Sequence, residues 1–244
     1  AVSGIQTKGI ALIDHPEFAA KLQPFLGKQL TWKGVEQLLN EVRAWYRAHG
    51  RPLVRIFLPA QNATNGTIQV AVVEGKAGSV HAVGNRWFDS KLLENAMKIQ
   101  RGHPIESAPL ARDLNRLNSN PFRSVDLVFT PGKEPGEIDL ELRTKDRFPV
   151  RFFTGYEDSG GDSTGDERIL AVFNWGNVLG RDHQLNYQFM GDDKVNKTTV
   201  HSGSYVVLMP WANRFTLFGF YQATKADTDP TPTVDYKSHT WQAS

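Results

Sequence analysis

The chain of 244 residues contains no cysteine. That removes disulfides, thiolate metal sites and a cysteine nucleophile, leaves the redox compartment open, and is compatible with a periplasmic location. Charge bias is missing too: 28 Lys and Arg stand against 26 Asp and Glu, a net of +2, too balanced for a nucleic-acid surface. No apolar run reaches the roughly 18 residues of a spanning helix, and the longest uncharged run, residues 198–213, is broken by Ser202, Gly203, Ser204 and Pro210. A helical membrane protein is excluded. A membrane β-barrel is not, because its strands alternate and disappear in hydropathy averages. No charged-then-apolar leader opens the chain, so any secretory signal is expected to have been removed or never present.

What is present falls into two halves that differ in kind around residues 147–190. In the first half, residues 5–13 read as a strand and 16–25 as a short helix with Pro16 in its first turn. Thr31 is placed to cap a second helix whose Val35, Leu38, Leu39, Val42, Trp45 and Tyr46 form one apolar stripe, ended by His49-Gly50 with Pro52 beyond. Strands over 53–58 and 67–74 follow, joined by the turn signal NATNG. The order then recurs: a strand at 79–83, a helix at 90–100, a helix capped by Ser107, and a hairpin of 125–130 and 137–144 around PGKEPG. Gly66-x-Ile68-x-Val70-x-Val72 matches Gly136-x-Ile138-x-Leu140-x-Leu142. A period of about 70 residues exceeds a solenoid unit and reads as two tandem small domains. Each leaves an unpaired sheet edge, which is either protected or used to accept an extended peptide as an added strand. Pro52, Pro59 and Arg55 around the first such edge fit protection as well as use.

From residue 148 onward only strand-length segments occur, at 148–157, 167–175, 183–190, 199–209, 214–223 and 234–241. Alternation alone suits a soluble β-sandwich or a membrane meander. Trp175, Tyr187, Trp211, Tyr221 and Trp241, read as lying at or near strand ends, favour the membrane reading, since aromatic belts form at interfaces.

Candidate reaction centres dissolve under inspection. Residues 161–165, GDSTG, fit the G-x-S-x-G pattern around Ser163, but a nucleophile elbow needs a strand-to-helix turn and here both flanks read as strands. The seven histidines never stand at i, i+4. Asp158, Asp162 and Asp166 lack the regular spacing of a calcium loop, and three Asn-x-Thr matches, at Asn62, Asn65 and Asn196, occur readily by chance. No enzyme, metal site or cofactor site is read.

Several stretches resemble the outer-membrane transporters of two-partner secretion, the TpsB type (ShlB/FhaC/HecB-like) in the Omp85 superfamily. RPLVRIFLPAQ with GTIQVAVVEGK is similar to the end of a first polypeptide-transport-associated (POTRA) domain. VHAVGNRWFDSKLL, with Gly84 and Asn85, resembles the opening of a second, and LARDLNRLNSNPF its second helix and exit. GYEDSGGDSTGDERILAVFNWGNVLGRDHQL resembles the first barrel hairpin, with Gly165, Asn177, Gly180, Asp182 and Leu185 at recurring positions. The resemblance implies an α+β arm followed by an all-β part: POTRA domains at 1–76 and 77–146, each β-α-α-β-β, then an antiparallel meander at 147–244 that begins a transmembrane barrel. Six strands are fewer than the eight or so of the smallest such barrels, so a fragment is expected.

The implied function is translocation across the outer membrane in two-partner, type V secretion, with the POTRA arm in the periplasm. The arm would take up an unfolded TpsA-type exoprotein through its N-terminal secretion domain; the other partner is outer-membrane lipid, with no nucleic acid. Carried over by position, the accepting edges are Leu53, Val54, Arg55, Ile56, Phe57 and Leu58, and Val125, Asp126, Leu127, Val128 and Phe129. The alternatives are an Omp85-type assembly and insertion factor and, from a different class, a soluble hydrolase using Ser163.

Overall fold

The computed structural model describes residues 2–8, 15–29, 31–62, 66–161, 165–195, 197–209, 214–225 and 235–243. The chain forms two compact units. One comprises Ala1–His81, Met97–Leu114 and Leu127–Leu142; the other comprises Ala82–Ala96, Asn115–Asp126 and Arg143–Ser244. Residues of the expected second module are thus shared between them.

The chain opens with β1 (Gly4–Lys8), α1 (Pro16–Leu22) and α2 (Trp32–Ala48), followed by β2 (Val54–Phe57) and β3 (Thr67–Glu74). The sheet order is β1-β3-β2, with β1 parallel and β2 antiparallel to β3. Thr31 is extended and its hydroxyl accepts the Gly34 amide at 3.2 Å, which starts α2. Val35, Leu38, Val42, Trp45 and Tyr46 are buried along one stripe, and the last four share a core with Phe18 and with Ile68, Val70 and Val72 of β3. Gly50, at φ 77°, reverses the chain while the Arg51 amide returns to the Tyr46 carbonyl at 2.8 Å. The expected helix over 16–25 instead becomes α1 plus a 3-10 turn at Gln23–Phe25, because Pro24 has no amide to continue an α-helical ladder.

The second repeat is β4 (Lys76–Val83), α3 (Ser90–Ala96), α4 (Ser107–Leu117), β5 (Arg123–Pro131) and β6 (Glu137–Asp146), in sheet order β4-β6-β5. Both sheets therefore place the third strand of the repeat between the other two. The matched glycines play one role: Gly66 at φ 76° and Gly136 at φ 83° take the left-handed turn into β3 and β6. Helix α3 stops at Ala96 rather than at 100, and the Lys98 amide is instead taken by the buried Asp113 carboxylate at 2.8 Å. Ser107 is the first residue of α4 rather than its cap; the Leu110 amide reaches back to the Glu106 carbonyl.

Six strands complete the chain: β7 (Val150–Gly161), β8 (Gly165–Val178), β9 (His183–Asp192), β10 (Thr198–Leu208), β11 (Arg214–Lys225) and β12 (Asp235–Ala243). Each pairs antiparallel with its sequence neighbours in one sheet. They run 9 to 14 residues, and a tilted membrane strand needs about 9–11. Near the middle of β8 and β9 the register sets two rows of different chemistry on opposite faces. Phe152, Phe173 and Tyr187 form a row on one face. On the other, Asn174 donates to Asn186 at 2.9 Å and Asn186 to Ser204 at 3.1 Å. An apolar outside and a hydrogen-bonded polar inside are what a barrel wall requires. Tyr187 falls in the middle of β9, which extends past the expected end to Asp192, so it contributes to the apolar wall rather than to a rim; Trp211 lies outside the described residues.

Replacing the Thr31 cap by Ala should lower the stability of its unit by about 1 kcal/mol. Urea unfolding followed by far-UV circular dichroism measures this, with Thr31→Ser retaining most of the stability.

Candidate functional site

Strand β2 ends its sheet, bonded to β3 alone among the described residues. The Leu53 carbonyl accepts the Gly75 amide at 2.8 Å, so the odd positions of β2 face β3. By alternation, Val54, Ile56 and Leu58 turn their main-chain groups outward. The side chains divide differently: Ile56 is buried in the core, while Arg55 and Phe57 are exposed, with the guanidinium 5.5 Å from the Phe57 ring. Beside this edge lies a cavity of about 490 Å³, mostly apolar, lined by Leu53, Phe57, Val73, Pro135, Gly136 and Ile138 among others. A Cβ at Gly75 would overlap the Ile138 Cδ1 methyl, which would have to shift.

Strand β5 also ends its sheet, but its edge is already occupied at one point. The Asn118 side chain accepts the Val125 amide at 2.7 Å and donates to the Val125 carbonyl at 3.0 Å. Asn118 therefore acts as one residue of an added strand. Leu127 and Phe129, in phase with Val125, carry the outward-turned positions that follow; Asp126 and Val128 point their main-chain groups the other way.

The family-motif residues divide into a cluster and two outliers. Gly84, at φ 83°, lies where a Cβ would stand 2.7 Å from the Thr144 carbonyl oxygen. Asn85 donates to the Phe88 carbonyl at 2.7 Å and to Ser90 at 2.9 Å, and the Asp146 carboxylate accepts the amides of Arg86, Trp87 and Phe88 at 2.7–3.0 Å. Asn177 of β8 donates to the Trp87 carbonyl at 3.0 Å and accepts the Asp182 amide at 2.9 Å. Gly180, at φ 70°, turns the chain between them. The Asp182 carboxylate, on a backbone at φ 59°, meets Arg123 in a two-pronged pair, both contacts 2.7 Å. The Arg123 side chain is fully enclosed and Asp182 is 13% exposed. Arg123 also donates to the Leu117 carbonyl and lies 4.7 Å from the Phe88 ring centre. Buried Asn120 bonds both Asp182 and the Gly176 carbonyl. Gly165 and Leu185 stand apart: Gly165 pairs with Gly161 at the opposite end of β8, and Leu185 lies in β9 opposite Trp175. Ser163 lies outside the described residues, but its flanks Gly161 and Gly165 face each other across a strand pair, not the strand-to-helix turn of a nucleophile elbow.

Sequence reasoning missed a second charge cluster. Glu74 continues the buried phase of Ile68, Val70 and Val72, and a charge on that phase was the signal. Its side chain is 5% exposed, and neither carboxylate oxygen finds a hydrogen bond among the described residues. The nearest cation, Arg51, stands 3.9 Å away and makes its closer contact, 3.0 Å, with Glu106. Burial pushes the Glu74 carboxyl above its ordinary 4.5; Arg51 opposes the rise and Glu106 adds to it.

Residues 1–75 match the ShlB-type POTRA domain family, and residues 136–244 match the haemolysin secretion/activation protein family ShlB/FhaC/HecB. The outer membrane transporter CdiB of Dickeya dadantii is 23% identical over 169 residues, 69% of this chain and 30% of that protein. The heme/hemopexin transporter protein HuxB of Haemophilus influenzae is 23% identical over 184 residues, 74% of this chain and 32% of that protein. The chain thus spans about a third of the length of the curated relatives it matches. In fold it is similar to CdiB from Escherichia coli (TM-score 0.79, 19% identity, 98% of this chain and 46% of that one). It is also similar to BamA from Haemophilus ducreyi lacking POTRA domains 1–3 (TM-score 0.55, 17% identity, 98% and 45%).

Two outcomes follow. Asp182→Ala strands a buried guanidinium and should cost about 3–5 kcal/mol, whereas a paired Arg123→Met, Asp182→Leu exchange should recover most of it, as read by urea unfolding of the two variants. For Glu74 the folded carboxyl titrates above the unfolded one, so its contribution is fully favourable below 4.5 and is lost as pH rises through the raised value. Glu74→Gln should therefore raise Tm at pH 7.5, and the gain should vanish by pH 4; a gain independent of pH would contradict this origin.

Proposed function

From a chain that joins a ShlB-type POTRA domain to the opening of a ShlB/FhaC/HecB protein, the domain order of the two-partner secretion transporters in the Omp85 superfamily, we propose that the protein translocates an unfolded exoprotein across the outer membrane. The strand sheet begins the barrel wall, and the POTRA arm lies in the periplasm. The arm, at 1–76 and 77–146, takes up the N-terminal secretion domain of the partner by strand addition, and the barrel begun at 147 passes it on. Main-chain bonds supply the affinity, and alternate side chains supply the register.

The observation that carries this reading is the open β2 edge beside an apolar cavity of about 490 Å³. An added strand at β2 would bond through Val54 and Ile56, and its side chains on one face would have the cavity beside them. At β5 the Asn118 side chain already holds Val125, so Leu127 and Phe129 are the positions left to an incoming strand. The relatives are named as transporters, and the ShlB/FhaC/HecB match favours secretion over barrel-protein assembly. Neither role requires a reaction centre.

Val54→Pro and Phe129→Pro each delete one outward donor at an edge, where proline is structurally tolerated. Each should weaken binding of the partner's secretion domain about fivefold, the equivalent of one hydrogen bond. Titration of the labelled domain against the chain measures this, and unchanged affinity in both variants would remove strand addition as the mechanism.

A further inference from the structure

The loop from Gly84 to Phe88 presents a tryptophan ring at the surface from a backbone pinned on both sides. The Trp87 amide is bound by Asp146 at 2.7 Å and its carbonyl by Asn177 at 3.0 Å. The amides on either side share the same carboxylate. The indole is 39% exposed. It meets Phe148 edge-to-face at 5.0 Å, and Phe148 is itself 56% exposed. The Arg86 guanidinium lies 5.0 Å from the Trp87 ring and is exposed to solvent.

This pair is continuous with the outer face of the sheet. Phe148 is two residues ahead of β7, and Phe152 and Tyr156, 66% and 63% exposed, follow on the apolar face of that strand. The Asn177 that holds the Trp87 carbonyl belongs to the β8 end that turns into β9, and Arg181 is exposed on that turn. Aromatic rings at the end of a lipid-facing wall, with arginines beside them, match a membrane–water interface rather than either solvent alone. Indole is most stable at headgroup depth, and cations there are drawn to anionic lipid.

The geometry points to Trp87 as an interfacial anchor, through which a loop of the second POTRA repeat, with Arg86, seats on the anionic phospholipid surface of the leaflet facing the periplasm. The aromatic belt of the barrel would then be completed by a residue outside the barrel. This rests on the outer-membrane reading above.

Because the chain has no cysteine, Trp87→Cys and Phe152→Cys each create a single thiol for an environment-sensitive fluorophore. The labelled full chain is reconstituted in phosphatidylethanolamine–phosphatidylglycerol vesicles containing lipid spin-labelled at the headgroup or mid-chain. The label at 87 should be quenched by the headgroup probe and the label at 152 by the deeper one. Adding Arg86→Gln should shift the ratio of lipid-quenched to water-exposed label at 87 about fivefold towards water, as should omission of phosphatidylglycerol. Quenching at 152 with none at 87 overturns the anchor and leaves the barrel reading intact. Quenching at neither position overturns both. Shielding of the label at 87 that grows with protein concentration in the absence of lipid assigns the surface to a second copy and also overturns the proposal.

Discussion

The guanidinium of Arg123 is closed off from solvent, and the base of the strand sheet is organised around meeting its charge. A buried cation without a matched anion is costly enough to unfold a small domain, so Asp182 has to arrive with both oxygens aligned. The chain achieves this by taking positive φ at Leu179, Gly180 and Asp182, a conformation that non-glycine residues adopt only under tertiary constraint. Asn120 donates to the Asp182 carboxylate and Asn177 accepts the Asp182 amide. The consequence is geometric: segment 118–123, loop 84–88 and the β8–β9 turn are fixed to one another through one ion pair and two amides.

The contrast with Glu74 is instructive, because the same kind of buried charge is there left under-partnered. Two carboxylates, Glu74 and Glu106, compete for Arg51, and the more exposed Glu106 makes the closer contact. One cluster is complete, its carboxylate meeting the guanidinium through both oxygens. The other is short of partners and makes its unit sensitive to protonation. In an arm proposed to lie in the periplasm, the raised Glu74 carboxyl is a group whose charge external acidity would change.

The two repeats share a plan and differ at the edges. Both use a left-handed glycine to enter the central strand, and both put the preceding hairpin strand at the sheet margin. Yet β2 is left open beside an apolar cavity, while β5 is closed at Val125 by a side chain from the end of its own repeat's helix. An edge can be blunted by one amide placed at the right register, and that difference makes the repeats unequal as places for a peptide to add.

Much of the fold was legible in sequence because it depends on local spacing. The stripe of α2, the alternation in β3, the matched glycines at 66 and 136, and all six strands after residue 147 arise from periodicities of 3.6 and 2 and from turn chemistry, which neighbouring residues determine. Strand and helix ends were less legible, since they depend on partners distant in the chain, as at Ala96 and Asp192. The grouping of Gly84, Asn85, Asn177, Gly180 and Asp182 was visible only as separate positions, and Arg123, their charge partner, carried no signal of its own. An ion pair across 59 residues, an asparagine standing in for a strand, and a tryptophan-bearing loop pinned by a distant aspartate are set by three-dimensional closure. Sequence alone decided which elements form; the tertiary structure decided which edges stay open and which charges are met, because both depend on groups brought together only when the chain has folded.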